Sequence, residues 1–160
     1  MYLKHDNKKC ELRFLIKPSL IPGAGEGLFA ARPFGVGDTL LYYTGTSLGE
    51  RGTATAERKL RKLCKGEAGR YVMLIANEYV VCHGGNNPAG KANDAGSKYA
   101  NVRELASGRM VAIRGIEIGE EIYWCYGRHY WRRWGPRLKL YPDDEEASDD
   151  EGEGEGGEKE

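Results

Sequence analysis

The sequence predicts a mostly β domain with one short helix. Short runs of apolar, β-branched and aromatic residues recur at close spacing between turns rich in glycine, proline and asparagine. Only Thr53–Lys65 carries convincing helical periodicity. A length of 160 residues allows one domain and a tail, with no second full core.

The elements follow in order. Leu12–Ile16, stopped by Pro18, reads as a strand. Ile21–Ala30 holds three glycines within five residues, at 23, 25 and 27. Such a segment is either a strand–turn–strand with glycine at positive φ or a place where a ligand meets bare main chain. The dinucleotide pattern GxGxxG is absent, because Ala30 stands at the third glycine and no long helix follows. Gly27–Ala31 and Thr39–Tyr43 read as strands joined through the Phe34–Asp38 turn, an expected antiparallel unit. Thr53 is placed to cap the helix and Gly66 to stop it. Leu60, Leu63 and Cys64 form its apolar stripe, and Glu57 sits four before Arg61. Five cations between Arg58 and Lys65 make it basic, which suits either an anionic partner or a solvated face. Tyr71–Ile75 and Tyr79–Cys82 read as a hairpin around Ala76–Glu78. Gly84–Gly96 is an irregular loop, long enough to be functional or mobile. Asn101–Leu105 and Arg109–Arg114 are strands around Ala106–Gly108, and Gly119–Gly127 is a short β-type run ending in Tyr126. His129–Trp134 reads as a helical turn before Gly135 and Pro136.

The formal charge of zero hides an asymmetry. Asp143–Glu160 holds eleven acids and one lysine, leaving 23 basic and 13 acidic residues in 1–142, a net of about +10. A basic body suits an acidic or nucleosome-like partner, or a plain solvated surface. The tail lacks apolar periodicity and cannot offset its ordering entropy, so 137–160 is expected to be disordered. Residues 1–11 form an N-terminal segment, and 12–136 are the domain with a short closing segment. Cysteines 10, 64, 82 and 125 lack metal-ligand spacing, and adjacent Cys82 and His83 point to opposite faces of a strand. Free thiols inside the cell are the expectation. No apolar h-region or membrane-length run is present in the sequence.

Four segments in fixed order, Gly25–Ala30, Tyr43–Gly45, Asn93 with Ala100–Val102, and Gly119–Gly127, carry a resemblance that runs from about Leu12 to Gly127. Together they resemble the SET domain of protein-lysine methyltransferases. The resemblance implies a SET-type fold of several small β-sheets, with a pseudoknot and one short inserted helix. It implies S-adenosyl-L-methionine as cofactor, held by Gly25, Glu26, Gly27 and Leu28, by Asn93 and Asp94, and by Tyr126. It makes Tyr126 the catalytic tyrosine and Tyr43 a second active-site tyrosine. Trp124, Tyr71, Val72 and Met73 line the implied substrate channel, with the peptide added as a strand beside 71–75. It implies no metal. The Asn93–Asn101 run is two residues longer than the family's and has Asp94 in place of His. Trp124 stands where Phe or Tyr is common, and its bulk is expected to favour low methylation states.

The chemistry accounts for these residue types. Lysine's reference pKa of about 10.4 means that the amine must first lose a proton. A dry channel lowers that pKa by disfavouring the ammonium. Aromatic walls attract the cation, and alignment lowers the remaining barrier. A lysine-bearing protein, a histone tail or a nucleosome, is the expected partner, and a nuclear location follows only from that substrate. The alternative is a non-catalytic SET-like module that binds chromatin or another charged partner. Direct nucleic-acid binding rests on body charge alone, without an RNP or helix-turn-helix pattern.

Overall fold

The structure, a computed structural model, describes residues 13–82, 87–128 and 130–132. The expected N-terminal segment and acidic tail, Cys10, His83 and Trp134 lie outside the described residues.

Among the described residues, eight strands form three small antiparallel sheets. Strands β1 (Phe14–Pro18) and β2 (Glu26–Ala30) pair with each other. Strands β3 (Thr39–Tyr42), β7 (Val102–Glu104) and β8 (Arg109–Ala112) form a sheet in the order β3-β8-β7. Strands β4 (Thr46–Glu50), β5 (Val72–Ile75) and β6 (Glu78–Val81) form the third, in the order β4-β6-β5. Helix α1 (Ala54–Leu63) lies in the chain between β4 and β5. The fold is mostly β, as the sequence predicts.

The expected pairing of the second and third strands is corrected. β2 pairs with β1, and β3 pairs with β8 far along the chain. The intervening turn instead spends its amides elsewhere: the Phe34 N–H donates to the Ile116 carbonyl at 2.9 Å and the Gly37 N–H to the Ala112 carbonyl at 2.8 Å. β4 was not foreseen. Its only large apolar residue is Leu48, and a register shift between Ser47 and Gly49 hides the alternation of a strand.

The helix begins as expected: the Thr53 side chain accepts the Ala56 N–H at 3.3 Å, and the buried Ala56 sets the inner face. Cys64 is buried, whereas Leu60 and Leu63 are half-buried. Glu57 serves other partners before Arg61. It accepts the Gly52 N–H at 3.1 Å and the Tyr79 hydroxyl at 2.9 Å, and these bonds hold its carboxyl below the usual range. The hairpin of β5 and β6 closes through Ala76 and Asn77, both at positive φ, as a tight two-residue turn demands.

The 119–127 run differs from the expected strand. It makes only isolated bridges, Phe29 to Glu121 and Asn93 to Tyr123. It lies between two neighbours: the Ile122 N–H donates to the Leu28 carbonyl at 2.7 Å, while the Tyr123 carbonyl accepts the Asn101 and Val102 N–H groups at 2.9 and 3.1 Å. Buried Asn101 adds side-chain bonds to the Glu121 carbonyl and the Tyr123 N–H. The 119–127 segment is thus bonded to Leu28 on one side and to the 93–102 segment on the other. Leu28, Leu40, Met110, Ile116 and Ile122 fill the core around this run.

Candidate active site

One cleft of about 1030 Å³ brings together residues from distant parts of the chain. A first wall is the Ile21–Glu26 turn. Gly23 and Gly25 have φ of 78° and 76°, a region that only glycine enters freely. The turn is tied by the Ser19 N–H to the Gly25 carbonyl at 2.8 Å.

The floor is aromatic. The Tyr126 hydroxyl donates to the Ala92 carbonyl at 2.6 Å, and the Trp124 indole N–H donates to the same oxygen at 3.1 Å. The Trp124 ring stands edge-on to Tyr126 at 5.0 Å and tilted to Tyr43 at 6.1 Å. On the other side Tyr130 meets Tyr126 edge-on at 4.6 Å, and Trp131 stacks on it at 6.1 Å and 14°. Such arrangements suit ring quadrupoles and present faces to a cation. The Tyr43 hydroxyl donates to the Tyr71 carbonyl at 2.8 Å. Burial pushes both the Tyr43 and the Tyr126 phenol above the usual value, so both are neutral donors at ordinary pH.

The third wall is the start of β5. Tyr71, Val72 and Met73 line the cleft, and β5 is one of the two edge strands of its sheet. Tyr71 itself ends the 3-10 turn Glu67–Tyr71, so the strand starts one residue later than expected.

Asn93 and Asp94 line the cleft between the turn and the floor. The Asn93 side-chain amide donates to the Glu26 carbonyl at 3.0 Å, and its own carbonyl accepts the Trp124 N–H at 3.0 Å. Asp94 accepts three N–H groups, from Gly96, Tyr126 and the Trp131 indole. Gly27 and Leu28 stand outside the lining. A Cβ at Gly27 would overlap the Glu121 carboxylate, and Leu28 is fully buried in the core.

Sequence reasoning missed Glu121. It is 1% exposed, yet it is a carboxylate. Its oxygens accept the Ser19 hydroxyl, the Leu20 N–H and the Tyr123 hydroxyl, each at 2.7 Å, and the Asn93 amide at 3.3 Å. The adjacent Glu120 pairs with Arg114 at the surface, so the acidic doublet gave no sign that one member turns inward. The Lys91–Glu26 ion pair, 2.8 Å across the cleft wall, also escaped notice. Cys64 and Cys82 are buried and Cys125 is exposed, and none of the three is in a disulfide. Among the described residues no group of three His, Cys, Asp or Glu side chains is placed to hold a metal ion, and no helix is long and apolar enough to cross a membrane.

No protein-family profile matches the sequence, and no curated protein matches it. Solved structures do match. The Chaetomium thermophilum polycomb repressive complex 2 superposes with a TM-score of 0.57 and 22% identity over 72% of this chain and 15% of that chain. The fold is SET-like. A structure of that complex in an autoinhibited conformation bound to S-adenosylmethionine gives 0.55 and 21% over 79% of this chain and 17% of that one. Another, in complex with H3K27me3 and H3K27M, gives 0.56 and 22% over 72% and 14%. The chain thus spans about one-seventh of the length of these SET-like neighbours, and at such identities the likeness concerns the fold.

Proposed function

We propose that this SET-like domain is an S-adenosyl-L-methionine-dependent methyltransferase acting on the ε-amine of a protein lysine. The observation that carries the reading is the placement of Tyr126. Its neutral phenol is pinned to the Ala92 carbonyl where the glycine turn, the aromatic floor and the β5 edge meet in one cleft.

The residues present fit the cofactor. The cleft slightly exceeds the 300–1,000 Å³ typical of small-molecule sites, leaving space for a lysine side chain as well. Gly23–Gly25 offers main chain without side-chain cover, and Tyr130 and Trp131 offer ring faces to a cationic ligand. Gly25, Glu26, Asn93, Asp94 and Tyr126 would hold the cofactor, which when bound supplies an activated methyl group. Gly27 and Leu28 would act only through the main chain or the packing behind the turn.

The remaining work falls to the chain. The Tyr126 proton is committed to Ala92, so the phenol oxygen keeps lone pairs to accept from an incoming amine. Trp124 and Tyr43 narrow the channel, exclude water and so disfavour the ammonium. The amine proton leaves to solvent before transfer. Val72 and Met73 on the edge strand β5, with Tyr71 just before it, would hold the substrate by strand addition. The neighbour's complex with H3K27me3 supports a histone tail as substrate, the basic body supports the acidic surface of a nucleosome as its context, and a nuclear location follows from that reading.

Labelled cofactor with histone and nucleosome panels tests the reading. Transfer by the chain, reduced about 100-fold in Tyr126→Phe without a comparable loss of stability, is the expected result. Cofactor binding by calorimetry without transfer to any panel would rule against a histone substrate. Absence of cofactor binding would instead favour a non-catalytic SET-like module for chromatin or another charged partner.

A further inference from the structure

We infer that Asp94 is the positioning residue that fixes the turn after Tyr126, and through it the aromatic wall of the cleft. As a statement about catalysis this rests on the methyltransferase reading, whereas as a statement about Trp131 it stands alone.

The three donors on Asp94 come from three places. Oδ1 accepts the Gly96 N–H at 2.7 Å. Oδ2 accepts the Tyr126 N–H at 2.8 Å and the Trp131 indole N–H at 2.7 Å. The last two flank Gly127, whose φ of 83° turns the chain away immediately after Tyr126. One oxygen therefore clasps both arms of the turn, and the clasp accompanies the near-parallel stack of Trp131 on Tyr126. These bonds are charge-assisted and among the stronger kinds available. The loop carries its own share, since the Gly96 bond closes an Asx turn at φ 86° and holds the carboxylate in place.

The geometry also explains why the residue here is an acid. The resembled family has His at this position. A neutral imidazole has one acceptor nitrogen and cannot bond the Tyr126 and Trp131 N–H groups together. A carboxylate oxygen can. Asp94 and Trp131 thus form a matched pair across the Gly127 turn. Oδ2 of Asp94 is filled by two protein donors, whereas Oδ1 carries one and keeps a site open toward the cleft's contents.

The test uses the full chain with Asp94→Ala, Asp94→Asn, Trp131→Phe and the double variants. The Trp131 signal is the difference in fluorescence between each protein and its Trp131→Phe counterpart. In Asp94→Ala this signal should move to longer wavelength and become more easily quenched by acrylamide. Asp94→Asn keeps an acceptor oxygen for the Tyr126 and Trp131 donors but sets its NH2 against the Gly96 N–H, so it should restore the signal in part, which covers the case in which Asp94→Ala does not fold. With S-adenosyl-L-methionine, calorimetry should show Kd raised about tenfold in Asp94→Ala and about threefold or less in Asp94→Asn. Adding Trp131→Phe to Asp94→Ala should weaken binding little further, because the two act through one bond. An unchanged Trp131 signal in both Asp94 variants, or fully additive effects of Asp94→Ala and Trp131→Phe, would overturn the inference. Should the unmodified chain bind no cofactor while Asp94→Ala still shifts Trp131, the positioning role stands and the methyltransferase reading falls.

Discussion

Replacing Glu121 by alanine tests how the glycine-turn wall is held. The carboxylate takes three bonds of 2.7 Å, from Ser19, Leu20 and Tyr123, and a longer one of 3.3 Å from Asn93. At the lower end for hydrogen bonds to a charged group, about 1.5 kcal/mol each, the three short bonds contribute about 4.5 kcal/mol. Leu20 is exposed and Ser19 half-buried, so their donors regain part of their hydration when the acid is gone, and the net loss should be about 3 kcal/mol. Glu121→Gln should lose only about 1 kcal/mol. Its amide oxygen can serve Leu20 and Tyr123 while its NH2 faces the Ser19 hydroxyl, which can accept. Urea denaturation measures both, and limited proteolysis between Ser19 and Gly25 reports the turn directly. A loss below about 1 kcal/mol for Glu121→Ala, or equal losses for Ala and Gln, would refute the reasoning. The first result would mean that the bonds are worth no more than hydration, the second that charge and not bond count matters.

Gly27→Ala should destabilise by overlap with Glu121, and Glu121→Ala should relieve part of that loss in the double variant. Independent, additive losses would disprove the contact. Removing the cap with Thr53→Ala should lower stability by about 1 kcal/mol in the same urea assay, and no change would show that α1 is held by packing alone. Tyr43 and Tyr126 are raised above the unfolded phenol value, so their contribution is fully present below about pH 10 and declines as pH rises beyond it. Tyr126→Phe should therefore flatten the alkaline fall in stability, and an unchanged profile in denaturant titrations would contradict the burial argument. Trp124→Phe should raise the average number of methyl groups in the product by widening the gap between Tyr43 and Tyr126, as read by mass spectrometry. A chain that already yields chiefly trimethyl-lysine would sink that idea.

Local chemistry was legible in the sequence. Thr53 caps the helix as expected, although its C-cap is Cys64 and not the expected stop at Gly66, and Ala76-Asn77 closes a hairpin because a short asparagine turn tolerates positive φ. Tyr43, Trp124, Tyr126, Asn93 and Asp94 do gather in one cleft with the Gly25 turn. What the sequence concealed was non-local. The pairing of β3 with β8 depends on partners that no turn connects, and the bulge at Leu48 erases the alternation that would mark β4. The run at 119–127 has the residues of a strand but is bonded on both sides by irregular chain as well as by β2. The inward turn of Glu121 is fixed by the space that Gly27 leaves, a fact of two segments and not of one.

The bonding of the 119–127 segment between Leu28 and the 93–102 segment carries a consequence for synthesis. The sheet of β4, β5 and β6 and helix α1 involve residues 46–81 alone and can gather early during translation. The cleft cannot. Its floor needs Trp124, Tyr126 and Trp131 placed against Ala92 and Asp94, and those contacts form only once the 120–131 stretch has emerged and slid between its neighbours. Insertion of a late segment between earlier ones is a high-contact-order step and should govern the folding rate. A nascent chain would then hold its β4–β6 sheet and helix before it has a cleft.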